Sequence, residues 1–369
     1  MLRRTLSMIL LTALLVLSSL SWARSNASGA VYVATNSASG NAVLVFHRNP
    51  EGLLTSQGSF LTGGLGTGGG LGNQGGLILS ENHHWLIVVN AGSDDISLFA
   101  VRRNGLRLTD RKPSGGKHPV SVTEEDGLLY VLNAGGSVGA EDNISGFKIR
   151  HNGSLIPIPG SARPLSARST APAQIQFDPE GEFLVVTEKA TNNIDVFAVG
   201  PEGTVSGPGI QHSNGTTPFG FAFGRDGQLF VSDAFGGAAN ASAVSAYELT
   251  ERGLSAIGAP AATHQTAACW VVVTSDGEFV YTTNTGSASV TGFAISEDGA
   301  LSPLNSDGIT GMTGAGPIDA ALGHNSEFLY VLDSGSNSIS AFRVEGDGSL
   351  SKLPDTVGLP KGANGIAVR

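Results

Sequence analysis

The sequence predicts an all-β protein, a seven-bladed β-propeller with four-stranded blades whose first blade is completed by the C-terminal strand. One observation is a pattern that recurs seven times: an apolar run ending in a polar residue, a small polar loop, a second run ending in an aromatic residue, and a turn containing glycine. A second observation is that the last segment of the chain matches a piece that the first repeat lacks. A period of about 40 to 50 residues is typical of propeller blades.

The first run of each repeat ends 43 to 55 residues after the corresponding run of the previous repeat. These runs end at Asn36, Asn90, Asn133, Glu188, Asp233, Asn284 and Asp333. The second runs end at Phe46, Phe99, Phe147, Phe197, Tyr247, Phe293 and Phe342. A glycine follows each aromatic at the next bend, where a hairpin favours a residue that accepts positive φ. A fourth, outer strand is expected in each repeat but is weakly marked.

A short apolar segment precedes each repeat after the first and is predicted to be the innermost strand of its blade. These segments are 77–79, 120–123, 173–177, 219–223, 269–273 and 317–322. The first repeat has no such segment before it, whereas residues 364–368 fit the pattern and have no repeat after them. We therefore expect the C-terminal strand to close the ring beside the first repeat. This favours a propeller over an open solenoid, which would need polar caps.

Residues 1–23 are predicted to be an export signal, followed by a short N-terminal segment, 24–30, and by the propeller, 31–369. Arg3 and Arg4 provide a positive start, 8–17 is an apolar stretch, and 21–23 is a small-x-small cleavage site. The apolar stretch is about half of the roughly 20 residues that span a bilayer, and no later segment is predicted to span one. The mature protein is expected in the periplasm or outside the cell.

Charge and cysteine content exclude several classes of function. Loss of Arg3 and Arg4 with the signal takes the formal net charge from −10 to −12, which argues against a nucleic-acid partner because such proteins rely on clustered Lys and Arg. Cys269 is the sole cysteine, so no internal disulfide can form. No histidine pair has metal-ligand spacing, and His83, His84 and His324 are expected at hairpin tips on the face away from the predicted site. We expect neither a metal nor a cofactor.

Two glycine motifs do not fit the chemistry that they suggest. Residues 135–139 match the G-x-S-x-G nucleophile pattern but lie in a loop between strands, not at a strand-to-helix turn. The glycine run 63–76 has no following Lys-Ser or Lys-Thr and opens no helix, so it is not a phosphate-binding loop. It is expected to be a mobile or closely packed connection.

The site is expected at one mouth of the central channel, because the ends of the first runs and the starts of the inner strands meet on one face of a propeller. A concavity with convergent polar groups is the default ligand site. Glu188 is the candidate base, with Lys189 or His118 stabilising developing negative charge. The candidate ligand-binding residues are Asn90, Asn133, Asp233, Trp270, Asn284, Asp319 and Asp333. Asn and Asp at strand ends also cap loops without any catalytic role, and Trp270 can equally be a packing residue.

The repeats resemble the lactonase family of seven-bladed propellers, which includes bacterial 6-phosphogluconolactonases and fungal carboxymuconate-lactonising enzymes. The resemblance rests on short segments such as 329–331 and 187–192 and on the Asp-Gly turns. Residues 213–220 and 267–270 resemble those of an exported branch of the family. In the phosphogluconolactonase-like members the fourth inner strand begins Pro-Arg-His and the next strand ends in an acid. Here the stretch is Pro172-Ala173-Gln174, whereas the acid is present as Glu188.

The resemblance implies an exported lactonase-like propeller that binds a small polar ligand and opens an unphosphorylated lactone at the channel mouth. Phosphorylated sugar lactones are cytoplasmic metabolites, which argues against the family's signature substrate in an exported protein. The alternative is a non-catalytic propeller that binds a protein, a glycan or a component of the cell envelope through loops on one face, since fold does not decide function.

Overall fold

The computed structural model describes residues 28–369; the predicted signal peptide lies outside them. The chain forms seven antiparallel sheets arranged in sequence order, with each sheet as one blade. No helix in the described part of the chain is long and apolar enough to cross a membrane. Three short 3-10 helices occupy Gly135–Val138, Pro201–Gly203 and Phe235–Gly237. The predicted seven-bladed propeller is therefore confirmed.

The strands, numbered in chain order, group into the seven blades as follows. Blade 1 contains β1 Gly29–Ala34, β2 Ala42–Arg48, β3 Leu54–Leu61 and β31 Ile366–Val368; blade 2 contains β4 Leu77–Leu79, β5 Trp85–Asn90, β6 Asp95–Arg102 and β7 Gly105–Pro113. Blade 3 contains β8 Pro119–Glu125, β9 Leu128–Ala134, β10 Asp142–Ile149, β11 Leu155–Pro157 and β12 Arg163–Pro164; blade 4 contains β13 Pro172–Phe177, β14 Phe183–Glu188, β15 Asn193–Val199 and β16 Val205–His212. Blade 5 contains β17 Pro218–Phe223, β18 Gln228–Asp233, β19 Ala243–Thr250, β20 Gly253–Ala256 and β21 Ala261–Ala262. Blade 6 contains β22 Ala268–Val273, β23 Phe279–Asn284, β24 Ser289–Ile295, β25 Leu301–Pro303 and β26 Gly311–Met312; blade 7 contains β27 Pro317–Leu322, β28 Phe328–Asp333, β29 Ser338–Val344 and β30 Leu350–Val357.

The ring closes as the sequence predicts, by pairing of the last strand with the first. Strand β31 lies antiparallel to β1, with Val31 opposite Val368 and Val33 opposite Ile366. The outer strands that the sequence marks weakly are present in every blade, and in blades 3, 5 and 6 two short pieces share this place. Closure leaves each sheet covered on both faces, which explains why the strands are not simply alternating in polarity.

The core lies between blades, where the anchoring aromatic rings of one sheet pack on the next. Phe46 and Leu332, from blades 1 and 7, belong to one apolar cluster that seals the ring. Three buried tyrosines on the second strands fasten one blade to the next through the turn glycines: the hydroxyl of Tyr130 donates to Gly203 O, that of Tyr281 to Gly348 O, and that of Tyr330 to Gly52 O. A buried hydroxyl needs such a partner, so these bonds fix the register between neighbouring blades.

Candidate functional site

Here the upper face is the face where the inner strands begin and the second strands of the blades end, and the upper mouth is the end of the channel on that face. Five inner strands enter the channel through a residue at positive φ followed by a bulge. The entry residues are His118, Ala171, Thr217, Ala267 and Gly316. The bulges fall within the next three residues of each strand. A bulge redirects side chains, and here it brings Phe219 and Cys269 to the upper mouth.

The predicted polar ring at the ends of the second strands faces into the blades. Six of its members are fully buried: Asn90, Asn133, Glu188, Asp233, Asn284 and Asp333. Each reaches a side chain on the neighbouring third strand, as Asn90 Nδ2 does when it donates to Ser97 Oγ at 2.8 Å and Asn284 Nδ2 to Thr291 Oγ1 at 2.9 Å. Ser340 Oγ donates to Asp333 at 2.7 Å in the same way. The geometry therefore places these residues in a repeated hydrogen bond within each blade, and their predicted ligand-binding role stays a prediction.

Glu188 occupies this position in blade 4, where its partner is a second carboxyl group, Asp195. The backbone N–H of Ser166 donates to both carboxyl groups at 3.0 Å, and the hydroxyls of Ser166 and Thr191 donate to Glu188. Burial and the charge of Glu188 raise the pKa of Asp195 far above its usual range. The pair thus holds a proton at neutral pH, as adjacent buried carboxyls do. Glu188 anchors the loops beside it, a geometry that does not favour its predicted role as base.

Lys189 points the other way, into the upper mouth. Its Nζ donates to the carbonyl of Gly72 and to Pro172 O at 3.4 Å, and lies 4.6 Å from the centre of the Phe219 ring. Burial lowers its pKa to about 8, although its electrostatic interactions with Cys269 and Asp142 act in the opposite direction. No ion pair within 4.0 Å joins it to Glu188, its neighbour in the chain. The upper mouth therefore holds an amine that is partly unprotonated near neutral pH, which is the property of a general base.

His118 lies apart from Lys189, at the entry to blade 3. Its backbone N–H donates to Asp94 Oδ1 at 2.8 Å, and Asp94 also pairs with Lys117. Burial lowers the pKa of the His118 ring, with Asp94 opposing. The ring is therefore mainly neutral at neutral pH, which does not favour the predicted role of stabilising negative charge.

The glycine-rich loop, residues 63–76, closes the upper mouth. Asn73 Nδ2 donates to Val120 O in blade 3, and Trp270 Nε1 in blade 6 donates to Asn73 O at 2.6 Å. The Gln74 side chain donates to Val271 O and accepts from the N–H of Val271. The backbone N–H of Gln74 donates to Ala173 O at 3.1 Å. The loop is thus closely packed, one of the two alternatives that the sequence left open. Trp270 is 3 % exposed and bonds to this loop. Burial raises the pKa of the neighbouring Cys269 thiol to about 11, so the thiol stays protonated.

Below Gln74 the channel contains a cavity of about 390 Å³ that leads toward the lower face. Asp319 lines it, accepting the N–H of Ala320 at 2.9 Å and that of Ile366 at 3.1 Å. Burial raises the pKa of Asp319 to about 8, so this carboxyl is neutral at neutral pH. Its contacts join blade 7 to the closing strand β31. Asp319 therefore faces the channel, but on the side of Gln74 away from Lys189.

One group of side chains on the lower face has the spacing of a cation site. The carboxyl oxygens of Glu81, Glu125 and Asp126 lie within 4.8 Å of one another. Burial and repulsion from Glu81 and Asp126 raise the pKa of Glu125 to about 7. Exposed acidic groups are common without an ion, so the expectation of no metal stays a prediction.

Replacing Gln74 with alanine should loosen the glycine-rich loop, because it leaves both main-chain groups of Val271 without their partner. We expect a loss of stability of about 1–3 kcal/mol and faster proteolysis within 63–76. Gln174→Ala is a matched control, since Gln174 makes the same pair of bonds to Phe221, at 2.7 and 2.8 Å, between neighbouring blades. Equal proteolysis of that loop in the two variants would contradict this role for Gln74.

The sequence singled out neither Gln74 nor Asp195. Asp195 follows Glu188 by seven residues, the offset that also separates Asn90 from Ser97 and Asp333 from Ser340. Aligning the repeats on that offset would therefore have found the carboxyl pair. Nothing in the sequence marks Gln74, because its partners come from distant blades.

Together these features define a closed propeller whose upper mouth holds the desolvated amine of Lys189. Comparison with known proteins gives the class a name. The family model described as a seven-bladed β-propeller lactonase matches residues 140–253 and 238–364, so the chain belongs to the lactonase family. The resemblance seen in the sequence is thereby confirmed. No curated protein matches the sequence significantly.

Solved structures with the same fold cover nearly the whole chain. A candidate 6-phosphogluconolactonase from Bacteroides fragilis is 21% identical with a TM-score of 0.73, over 94% of this chain and 99% of its own. The periplasmic gluconolactonase of Pseudomonas aeruginosa is 17% identical with a TM-score of 0.73, over 91% and 98%. A protein from Lactobacillus plantarum is 18% identical with a TM-score of 0.74, over 93% and 100%. At these identities the likeness shows the fold alone.

Proposed function

We propose that the protein is an exported lactonase that hydrolyses an unphosphorylated lactone at the upper mouth, with Lys189 as general base. The observation that carries this proposal is the desolvated amine of Lys189, with a pKa of about 8, on the mouth of a lactonase-family propeller. General bases are most effective when their pKa lies near the working pH. Lys189 is half-buried, and its Nζ donates to the carbonyls of Gly72 and Pro172, which a small ester would displace to reach it from the upper face.

The reaction needs one base and no cofactor. The unprotonated Nζ removes a proton from a water molecule as that water attacks the lactone carbonyl carbon. The ring C–O bond then breaks, and the ammonium returns the proton to the departing ring oxygen, which becomes a hydroxyl group. Phe219 lies beside the amine and can pack against the carbon skeleton of the substrate, and the attraction of its ring face for a cation only partly offsets the desolvation that lowers the pKa of Lys189.

An unphosphorylated substrate agrees with the absence of arginine and histidine from the start of the fourth inner strand. Where the resemblance expects Pro-Arg-His, the chain has Pro172-Ala173-Gln174, and the Gln174 amide is occupied by Phe221. Phosphate recognition relies on arginine and other cations, and this stretch provides none. The periplasmic gluconolactonase of P. aeruginosa has the same fold, which supports a sugar or aliphatic lactone as substrate and an extracytoplasmic location.

The test is hydrolysis of a panel of sugar and aliphatic lactones by the protein without residues 1–23, with spontaneous hydrolysis subtracted at each pH. We expect the enzymatic rate to rise with pH and to level off above about 8, because the unprotonated form of Lys189 is the active one. If the ammonium form instead stabilised negative charge, the rate would fall through the same range. Absence of turnover on every lactone would overturn the proposal.

The second candidate is a non-catalytic propeller that binds a protein, a glycan or a component of the envelope. The observation in its favour is the closure of the mouth by Asn73 and Gln74, which leaves little room for a substrate above the channel. Binding through loops on one face would not require that room. Retention of a binding partner by a Lys189 variant, together with inactivity of the wild type on lactones, would favour this function.

A further inference from the structure

A second cavity, of about 420 Å³, lies on the lower face between blades 1, 2 and 7, opposite the proposed lactone site. Its wall carries two guanidinium groups and one carboxylate side chain, in a chain whose net charge is −10. The lining residues are Arg48, Glu81, Asn82, His83, His324, Asn325 and Arg369. They come from the end of β2, the β4–β5 turn, the β27–β28 turn and the residue after β31. The fold therefore brings together cations that are distant in sequence.

Arg48 is the central feature of this cavity, because its guanidinium is buried without an anionic partner. The residue is 7 % exposed, and its Nε has no hydrogen-bond partner. Among the described residues no carboxylate lies within 4.0 Å of it. A buried guanidinium is costly unless its donors are satisfied. An oxyanion in the cavity would satisfy them.

Arg343 is a second guanidinium beside the same aromatic ring, and it has a carboxylate partner. Both arginines lie over the Phe328 ring, Arg48 at 5.3 Å and Arg343 at 4.7 Å from its centre. Arg343, however, is paired with Glu327 and does not line the cavity. The two side chains therefore share an aromatic contact and differ in the counter-ion that the protein supplies.

Two histidines line the same cavity as the arginines. The His83 and His324 rings meet edge to face with their centres 5.7 Å apart, and burial, followed by repulsion from His324 and Arg369, lowers the pKa of His83. Glu81 is the carboxylate side chain that lines the cavity, and Glu327 lies behind Phe328, paired with Arg343. An anion bound in the cavity would favour the protonated form of His83, since opposite charges attract.

We propose that this cavity binds a small organic anion through its carboxylate or phosphate group, with Arg48 as the principal donor and His83, His324 and Arg369 around it. Arginine suits this role because its planar fork presents two parallel N–H donors to an oxyanion. The cavity is large enough for a few carbon atoms beside the charged group. Binding favours the protonated form of His83, so it tightens as the pH falls toward about 6.

The test follows the imidazole NMR signals of His83 and His324 while sulfate, a tetrahedral analogue of phosphate, or malonate, a carboxylate, is added at constant ionic strength. We expect saturable shifts of both rings in the wild type. Arg48→Met should weaken binding about tenfold or more, whereas Arg343→Met, which removes a guanidinium from the same ring, should change it less than about twofold. The probe that binds more tightly identifies the anionic group.

The sulfate titration is repeated at pH 6 and pH 8, because the charge of sulfate is constant over this range. Tighter binding at pH 6 is expected in the wild type, and His83→Phe, which keeps a ring at this place, should reduce that pH effect. Equal affinity of Arg48→Met and wild type, or shifts that do not saturate, would mean an adventitious ion only and overturn the proposal. If Arg48→Met does not fold, the comparison of His83→Phe with wild type decides in the same way.

Discussion

Lys189→Met should reduce lactone hydrolysis by about a hundredfold or more while leaving the propeller folded. The methionine keeps most of the side-chain volume against Phe219 but has no basic atom, and loss of a general base typically costs roughly 10²–10⁴-fold in rate. The measurement is kcat/KM on the best lactone of the panel, with the circular dichroism spectrum and the unfolding midpoint as checks of the fold.

Two further variants separate the roles that the upper mouth could have. Lys189→Arg keeps the positive charge but cannot act as a base, because guanidinium stays protonated in proteins. We expect it to be as inactive as Lys189→Met; substantial activity would instead assign charge stabilisation to this position. Glu188→Gln should change mainly stability, since Glu188 is bound to Ser166 and Thr191 inside the blade. Loss of turnover in a folded Glu188→Gln protein would restore Glu188 as the base.

Asp233→Asn should stabilise the protein at pH 8 by on the order of 2–4 kcal/mol and have little effect at pH 4. Burial raises the pKa of Asp233 to about 7, although bonds from Ser245 and Ser213 oppose the rise. Between the unfolded pKa near 4 and the folded pKa near 7 the native state holds a proton that the unfolded chain releases. This carboxyl therefore makes the protein progressively less stable as the pH rises through that window. An asparagine has no proton to lose.

Other blades show that asparagine fits this position. In blade 6 Asn284 donates to Thr291 at 2.9 Å, and in blade 5 the hydroxyl of Ser245 stands at the corresponding place, ready to accept from the amide that Asp233→Asn introduces. The reciprocal variant Asn284→Asp should lose stability at pH 8 and gain it back toward pH 4. Thermal and denaturant midpoints between pH 4 and pH 8 check both. A stabilisation by Asp233→Asn that is the same at both ends of the range would contradict the titration argument.

The wild type should also be more stable at pH 5 than at pH 8. Burial raises the pKa of Asp319 to about 8 and that of Asp333 to about 6, in the same direction as for Asp233. Each carboxyl binds its proton more tightly in the native state, so its contribution to stability is largest at low pH and is lost as the pH rises through the raised pKa. Asp233 and Asp333 lie inside their blades, whereas Asp319 lines the channel cavity.

What the sequence by itself determined is the repeat and everything that depends on neighbours along the chain. The inner segments 77–79 and 317–322 coincide with β4 and β27, and the fit of 364–368 to the inner-strand pattern predicted the pairing of β31 with β1. These features could be read because a strand is recognised from its own apolar run and a hairpin from its own glycine. The family resemblance could be seen for the same reason, because it rests on short sequence motifs repeated along the chain.

Only the tertiary structure decided which way the polar residues face and which distant groups meet. Glu188 and Lys189 are neighbours in sequence, yet Glu188 is the last residue of β14 and Lys189 the first of the turn that follows, so one is buried in its blade and the other enters the mouth. The closure of that mouth by Gln74 joins residues 197 positions apart, and the cavity around Arg48 gathers four separate segments. Sequence periodicity records which residues are buried, but contacts across a closed ring depend on how all seven blades assemble.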